Sequence, residues 1–471
     1  MIYYIYHPFS EVSSLNENND KQREGALADL NPSHQDQSSP SFSRRKLLSS
    51  LGAAGLALAA GDLFSNSSTA QAAVPSSTLI YNVKDFGASG NRRYDEDDAP
   101  YIQSAIDTAA ASGGIVFIPP GMYSLKLPLR VSSNVTIMGA GSNSILRSFA
   151  NKFGLFNLTA VQHVRIQSLA FQGTGSYGGS SIPIAESGIS LIQATDIHIS
   201  DCTFSMIDNG VKSQDSSRVT IESCLFDSLI GALDYDTQGF GIWCSNGADH
   251  QIVHNQFSTM FQSPIFLTNG SRQCYIARNR MQKCFQSGIE LLSKPKEKPC
   301  SFNTISDNIM EAFANSSGST GYTFGVRLRG NCVSNSIMNN IMSEIDDVGI
   351  QLIGSADVKL ERPRCNHISH NQLANIGDSA IVLINAYDNR VGQNIVRDVK
   401  IDGIRIASNG KESGSYSDRN HLAGNSLIRC NKAPIRIADA NCRETVLFGN
   451  LGSNNGDKVI DKGTDSATSS L

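Results

Sequence analysis

The chain has 471 residues, 39 Lys and Arg against 43 Asp and Glu, and a formal net charge of −4. The basic residues are scattered, which excludes the concentrated positive surface a nucleic-acid binder needs. Ten cysteines occur without a C-x-x-C pair or a Cys/His group at zinc spacing, so most read as small buried apolar residues rather than metal ligands or disulfides.

The first element in chain order is an export signal. Arg44-Arg45-Lys46 precedes an apolar run, Leu47–Ala60, that falls short of the ~20 residues a membrane helix needs. Ala70-Gln71-Ala72 follows with the small-x-small spacing of a cleavage site. Ser43–Leu48 resembles a twin-arginine (Tat) signal, which implies the Tat translocase as a partner and a secreted or extracytoplasmic protein cleaved near Ala72. Residues 1–72 are read as leader and signal and left out of the fold; nothing beyond them reads as a stable membrane span.

Residues 79–150 read as an N-terminal cap. Ile102, Ala105, Ile106 and Ala109 share one face of a predicted helix over 98–111, with Asp97 as its expected N-cap. GGIVFIPPGMYSL then reads as strand, turn, strand. Residues 151–451 read as the repeat region, in which from residue 197 a short theme recurs, an Asn or Cys followed by an apolar residue: Cys202, Cys224, Asn255, Asn279, Asn308, Asn340, Asn371, Asn394, Asn425 and Asn450. Intervals with a floor near 22 residues, combined with period-2 alternation, predict a solenoid of short strands. The fold class is all-β: a single-stranded, right-handed parallel β-helix with a helical cap. Asn at one turn position is expected to stack as a ladder, both because it tolerates left-handed backbone and because its amide can bond to its copy one coil on. Residues 452–471 read as a polar, disordered tail.

YNVKDFGASG (81–90), DEDD (95–98), AIDTAAASGGIVFIPPGMYSL (105–125) and VTIMGAG (135–141) resemble the opening of the pectate-lyase-like superfamily, which includes glycoside hydrolase 28-related polygalacturonases, mannuronan epimerases and phage tailspike depolymerases. The resemblance covers about 60 residues. Where that family has Gly-Asp-Gly after the DFGA element, Gly90-Asn91-Arg92 stands here. It implies an extracellular protein that acts on, or holds, a polysaccharide, without selecting a reaction.

Strand parity then lays the repeats in register. One outward row reads Lys212, Trp243, Phe266, Glu290, Arg327, Gln351, Val382, Arg405, Arg436; the next contains Arg329. The insertions 232–240 and 314–324 are expected to wall a cleft above this row with Asp234, Tyr235, Asp236 and Tyr322. Aromatic faces suit sugar stacking and charges suit carboxylates and hydroxyls. The expected catalytic residues are Asp234, Asp236, Glu290, Arg327 and Lys212; Trp243, Phe266, Tyr235, Arg329, Tyr322 and Gln351 are expected to bind substrate. Two reactions fit: β-elimination of a uronate by Lys212, Arg327 and Arg329, with calcium held by Asp234 and Asp236, or hydrolysis between Asp234 or Asp236 and Glu290. A non-catalytic glycan-binding β-helix is the competing class. The polygalacturonase-type Asn-x-Asp, Gly-His-Gly and Arg-Ile-Lys signatures and the Asp-Pro-His-Glu motif of the epimerases are absent, and no heptads argue for a trimer.

Overall fold

The computed structural model describes residues 79–93, 95–148, 153–173, 187–229, 239–314, 322–355, 361–408 and 415–469. Among these residues the chain forms three long parallel sheets, numbered 1 to 3 in the order each coil visits them, of 13, 15 and 13 strands. Every successive strand pairs with its counterpart one coil later, so the chain is a parallel β-helix. The signal and leader lie outside the described residues, and no described helix is long and apolar enough to cross a membrane.

The cap helix α1 (Ala99–Ser112) buries Ile102, Ala105, Ile106 and Ala109 against the first coil. Its flanking N-terminal residue is Asp98 rather than Asp97. Asp97 still serves the helix start, accepting from the backbone N of Ala99 at 3.1 Å. Asp98 is buried and ties three segments together, accepting from the N atoms of Ser89 (2.6 Å) and Ser124 (2.9 Å).

The Gly-Ile openings of sheet 1 have a steric cause. The Ile or Val points inward, fully buried at Val211, Ile289, Val326 and Ile350. The preceding Gly leaves room for the core: a Cβ on Gly210 would lie 2.5 Å from the Phe226 ring and 2.6 Å from the Gly241 carbonyl. Phe171, Phe204, Phe226 and Phe257 stack face to face through the core at 5.0, 4.7 and 4.7 Å.

The asparagine ladder is present. From Asn255 through Asn279, Asn308, Asn340, Asn371 and Asn394 to Asn425, each passes an Nδ2–H to the next Oδ1 at 2.8–3.0 Å, ending on Asn450. Its physical basis differs in one respect from expectation. The left-handed residue is the one before each ladder position, as at His254, Arg278, Asp307 and His370 with φ of 56–57°, and the ladder asparagines themselves are not left-handed. They are there because a buried amide satisfies the turn backbone: Asn308 accepts from the N of Asn279 and donates to the carbonyl of Ile276. A second ladder, not anticipated, runs five residues upstream through Asn303, Asn335, Asn366, Asn389 and Asn420. The short strands of sheet 2 are held between the two.

Two further expectations meet the structure. All ten cysteines are free, nine of them buried, and burial pushes the Cys244 thiol up to about 12. The C-terminal segment read as a disordered tail instead makes one more, largely exposed coil, with Ile460–Asp461 on sheet 1 and Ala467–Ser469 on sheet 2.

Candidate functional site

Strands in register bring residues far apart in sequence to adjacent positions, about 4.8 Å apart. On the outer face of sheet 1 the pairing runs Lys212↔Trp243, Trp243↔Phe266, Phe266↔Glu290, Glu290↔Arg327, Arg327↔Gln351, Gln351↔Val382. Arg329 pairs with Leu292 and Ile353 in the neighbouring row. The row deduced from strand parity is therefore the row in the structure.

The side chains on it divide into two apolar islands with a charged centre. Phe240, Phe266 and Leu292 form the first island, with Trp243 against it; Phe240 stacks on Phe266 at 4.8 Å. Phe266 is only 7% exposed, so its ring is covered by protein, and this corrects the expectation that it offers an open stacking surface. Trp243 stays half-buried, with the Lys212 ammonium 5.2 Å from its ring centroid, and its buried Nε1–H has no acceptor among the described residues. Phe324, Val348 and Val382 form the second island, and the exposed Tyr322 ring lies 6.5 Å from Phe324.

Between the islands, Glu290 is 5% exposed. Its Oε1 accepts from Arg329 Nη1 and its Oε2 from Ser287 Oγ, both at 3.0 Å. The adjacent Arg327 takes a different partner, its guanidinium lying 4.1 Å over the Phe324 ring while Nε donates to Gln351 Oε1 at 2.9 Å. The ion pair is thus diagonal, Glu290 to Arg329, rather than directly across to Arg327. Both guanidinium groups are held in place by this bonding and stacking, and each remains part-exposed.

Asp234, Tyr235 and Asp236 lie outside the described residues, as does the tip of the second insertion. Among the described residues no group of three or more His, Cys, Asp or Glu is placed to hold a metal. Lys212 and Arg327 are four strands apart, about 19 Å, so they cannot act on one bond. Phe240, Phe324 and Ser287 were not anticipated. Phe240 and Phe324 end the two insertions, and that position is the signal that could have found them.

A family model for the right handed beta helix region matches residues 187–362. This chain has a right-handed parallel β-helix fold. Among solved structures, the β-helix resembles the A-module of mannuronan C-5 epimerase AlgE4 from Azotobacter vinelandii with a TM-score of 0.56, at 17% identity over 83% of this chain and 100% of that one. It also resembles PfbA, a surface adhesin of Streptococcus pneumoniae, with a TM-score of 0.54 at 14% identity, covering 80% and 91%. At such identities the likeness concerns the fold alone. In sequence, Alginate lyase 7 of Azotobacter vinelandii is 38% identical over 114 residues, 22% of this chain. The match spans 12% of that relative's length.

Proposed function

We propose that this β-helix is an exported, carbohydrate-active enzyme that cleaves a uronate-bearing polysaccharide lying along the outer face of sheet 1. The observation that carries the reading is the pair Arg327 and Arg329, two positions apart on one strand and each held by its neighbours, with the half-buried Trp243 three strands away along the same face. A guanidinium matches a carboxylate in both charge and hydrogen-bond geometry, and a half-buried indole supplies a face for a sugar ring. The alginate-directed and mannuronan-directed names of the relatives support the substrate class, and the twin-arginine-like signal supports export.

Of the two candidate reactions, the geometry favours β-elimination. The proton on the carbon beside the carboxylate passes to a base, for which the insertion carboxylates Asp234 and Asp236 are the candidates, the electron pair forms a ring double bond, and the glycosidic oxygen departs, protonated by water. Arg327 and Arg329 neutralise the carboxylate, which acidifies that carbon. Glu290 positions Arg329 and is closed off from acting as a hydrolytic acid, since both its oxygens are engaged. Hydrolysis would have to rest on Asp234 and Asp236. Lys212 with Trp243 serves as a distal subsite.

The test is a panel of polyuronates followed by ultraviolet absorbance from unsaturated products. Parent protein should generate the signal, and Arg327→Ala should lower turnover about 100-fold, the scale for one lost electrostatic stabiliser, with an unchanged melting midpoint. New reducing ends without absorbance would make the enzyme a hydrolase; glycan retention without any product would make it a binding protein.

A further inference from the structure

A concavity lies away from the row just described, on the outer face of sheet 2. It is a groove of about 610 Å³ crossing five strands between Thr136 and Gln251. Its floor is one in-register row, Thr136, Arg165, His198, Thr220 and Gln251, about 20 Å long at the strand spacing. The next residue in that row, Tyr275, has a 39% exposed ring. One wall is the turn row His163, Asp196, Arg218 and Asp249. There Arg218 clamps Asp196 through both nitrogens, at 2.6 and 3.0 Å.

That clamp belongs to the fold. The same turn row carries an equivalent bidentate pair, Arg419 on Asp388, many coils later, so it sets the wall rather than marking a ligand. The floor is different in kind. Arg165 is exposed, and its guanidinium makes no hydrogen bond or ion pair among the described residues. Gln251 is likewise exposed. His198 is oriented by its Nε2 contact with Glu222 at 2.9 Å.

We infer that this groove is a second carbohydrate-binding track, which holds an acidic saccharide chain parallel to the rod axis. The floor presents a guanidinium, an imidazole, a hydroxyl and an amide in line, groups that bond sugar hydroxyls and carboxylates, and Tyr275 offers a stacking face at one end. Arg218 is taken up by Asp196, which leaves the Arg165 guanidinium to meet one saccharide carboxylate at a time, whereas a nucleic acid needs a continuous row of cations along its phosphates. Among the described residues that line the groove, none forms an apolar pocket for a peptide anchor. The inference rests on the polysaccharide reading for its ligand class but not on any activity of sheet 1.

Affinity electrophoresis in gels containing polygalacturonate, and separately alginate, tests it. The double variant Arg165→Ala, Gln251→Ala should weaken retention about tenfold, the scale for losing a hydrogen bond to a charged group, with its melting midpoint unchanged. Arg165→Glu should weaken it at least as much. Arg327→Ala should produce a separate loss that multiplies with these if sheet 1 also binds. An inert sheet 1 would leave the Arg165 effect standing alone, so the two readings fail separately. Retention by both gels unchanged in the double variant and in Arg165→Glu overturns the inference.

Discussion

The two halves of the β-helix are held together by different devices. From Phe171 to Phe257 the core column is a phenylalanine stack, and the accompanying turn begins with Cys202 and Cys224. Beyond Phe257 the same column continues as Met281, Met310, Met342 and Leu373, and the asparagine ladder starts at Asn255. Where the rings stop, the amides begin. A stack of rings gains dispersion and burial and carries no polar group to satisfy. A ladder of amides gains little per bond but leaves no turn N–H or carbonyl orphaned, which would be costly in a dry interior. A solenoid can use either, because each coil contacts only its neighbours.

The largest effect that would sharpen this contrast is Phe226→Ala, in the middle of the stack. Removing a fully buried ring should cost about 4 kcal/mol in a urea titration, and a loss under 1 kcal/mol would show that the stack is not the main support of this half. Acid is the next lever. His250 occupies the second-ladder position one coil before Cys274, donating or accepting at Ser213 Oγ at 3.1 Å, and burial lowers its pKa to about 4. The unfolded chain takes up the proton near 6.5 while the folded chain resists until about 4, so stability is present in full above 6.5 and falls as pH drops towards 4. The loss should reach about 3 kcal/mol. His250→Asn, which puts a non-titrating amide at that turn position, should flatten that pH dependence, as read from melting midpoints between pH 7 and 4. A smaller effect is expected for Asn308→Ala, which orphans the Asn279 N–H and the Ile276 carbonyl. Local repacking and water will offset part of that, leaving about 2 kcal/mol. Hydrogen exchange should show the loss concentrated in coils 279–340, and a uniform loss along the rod would break the neighbour-only picture.

The repeat was legible because it leaves two marks that do not depend on long-range contacts: an Asn or Cys at near-regular intervals, and period-2 alternation in the strands. Once coils are stacked, adjacency follows from counting, which is why Lys212, Trp243, Phe266, Glu290, Arg327 and Gln351 could be placed in one row beforehand. The second ladder is equally legible, since each Asn303-type residue stands five before an Asn308-type one.

The sequence by itself determined the coil, its inward and outward faces and the order of residues along each row, because backbone periodicity and side-chain polarity are local properties. Which side chains on a face touch was decided by tertiary structure alone. Glu290 reaches diagonally to Arg329 while Arg327 lies on Phe324 and bonds Gln351; Phe266 is hidden where Phe240 stacks on it. Such choices depend on side-chain packing from neighbouring coils and loops, and so does the groove on sheet 2, which no single coil encodes.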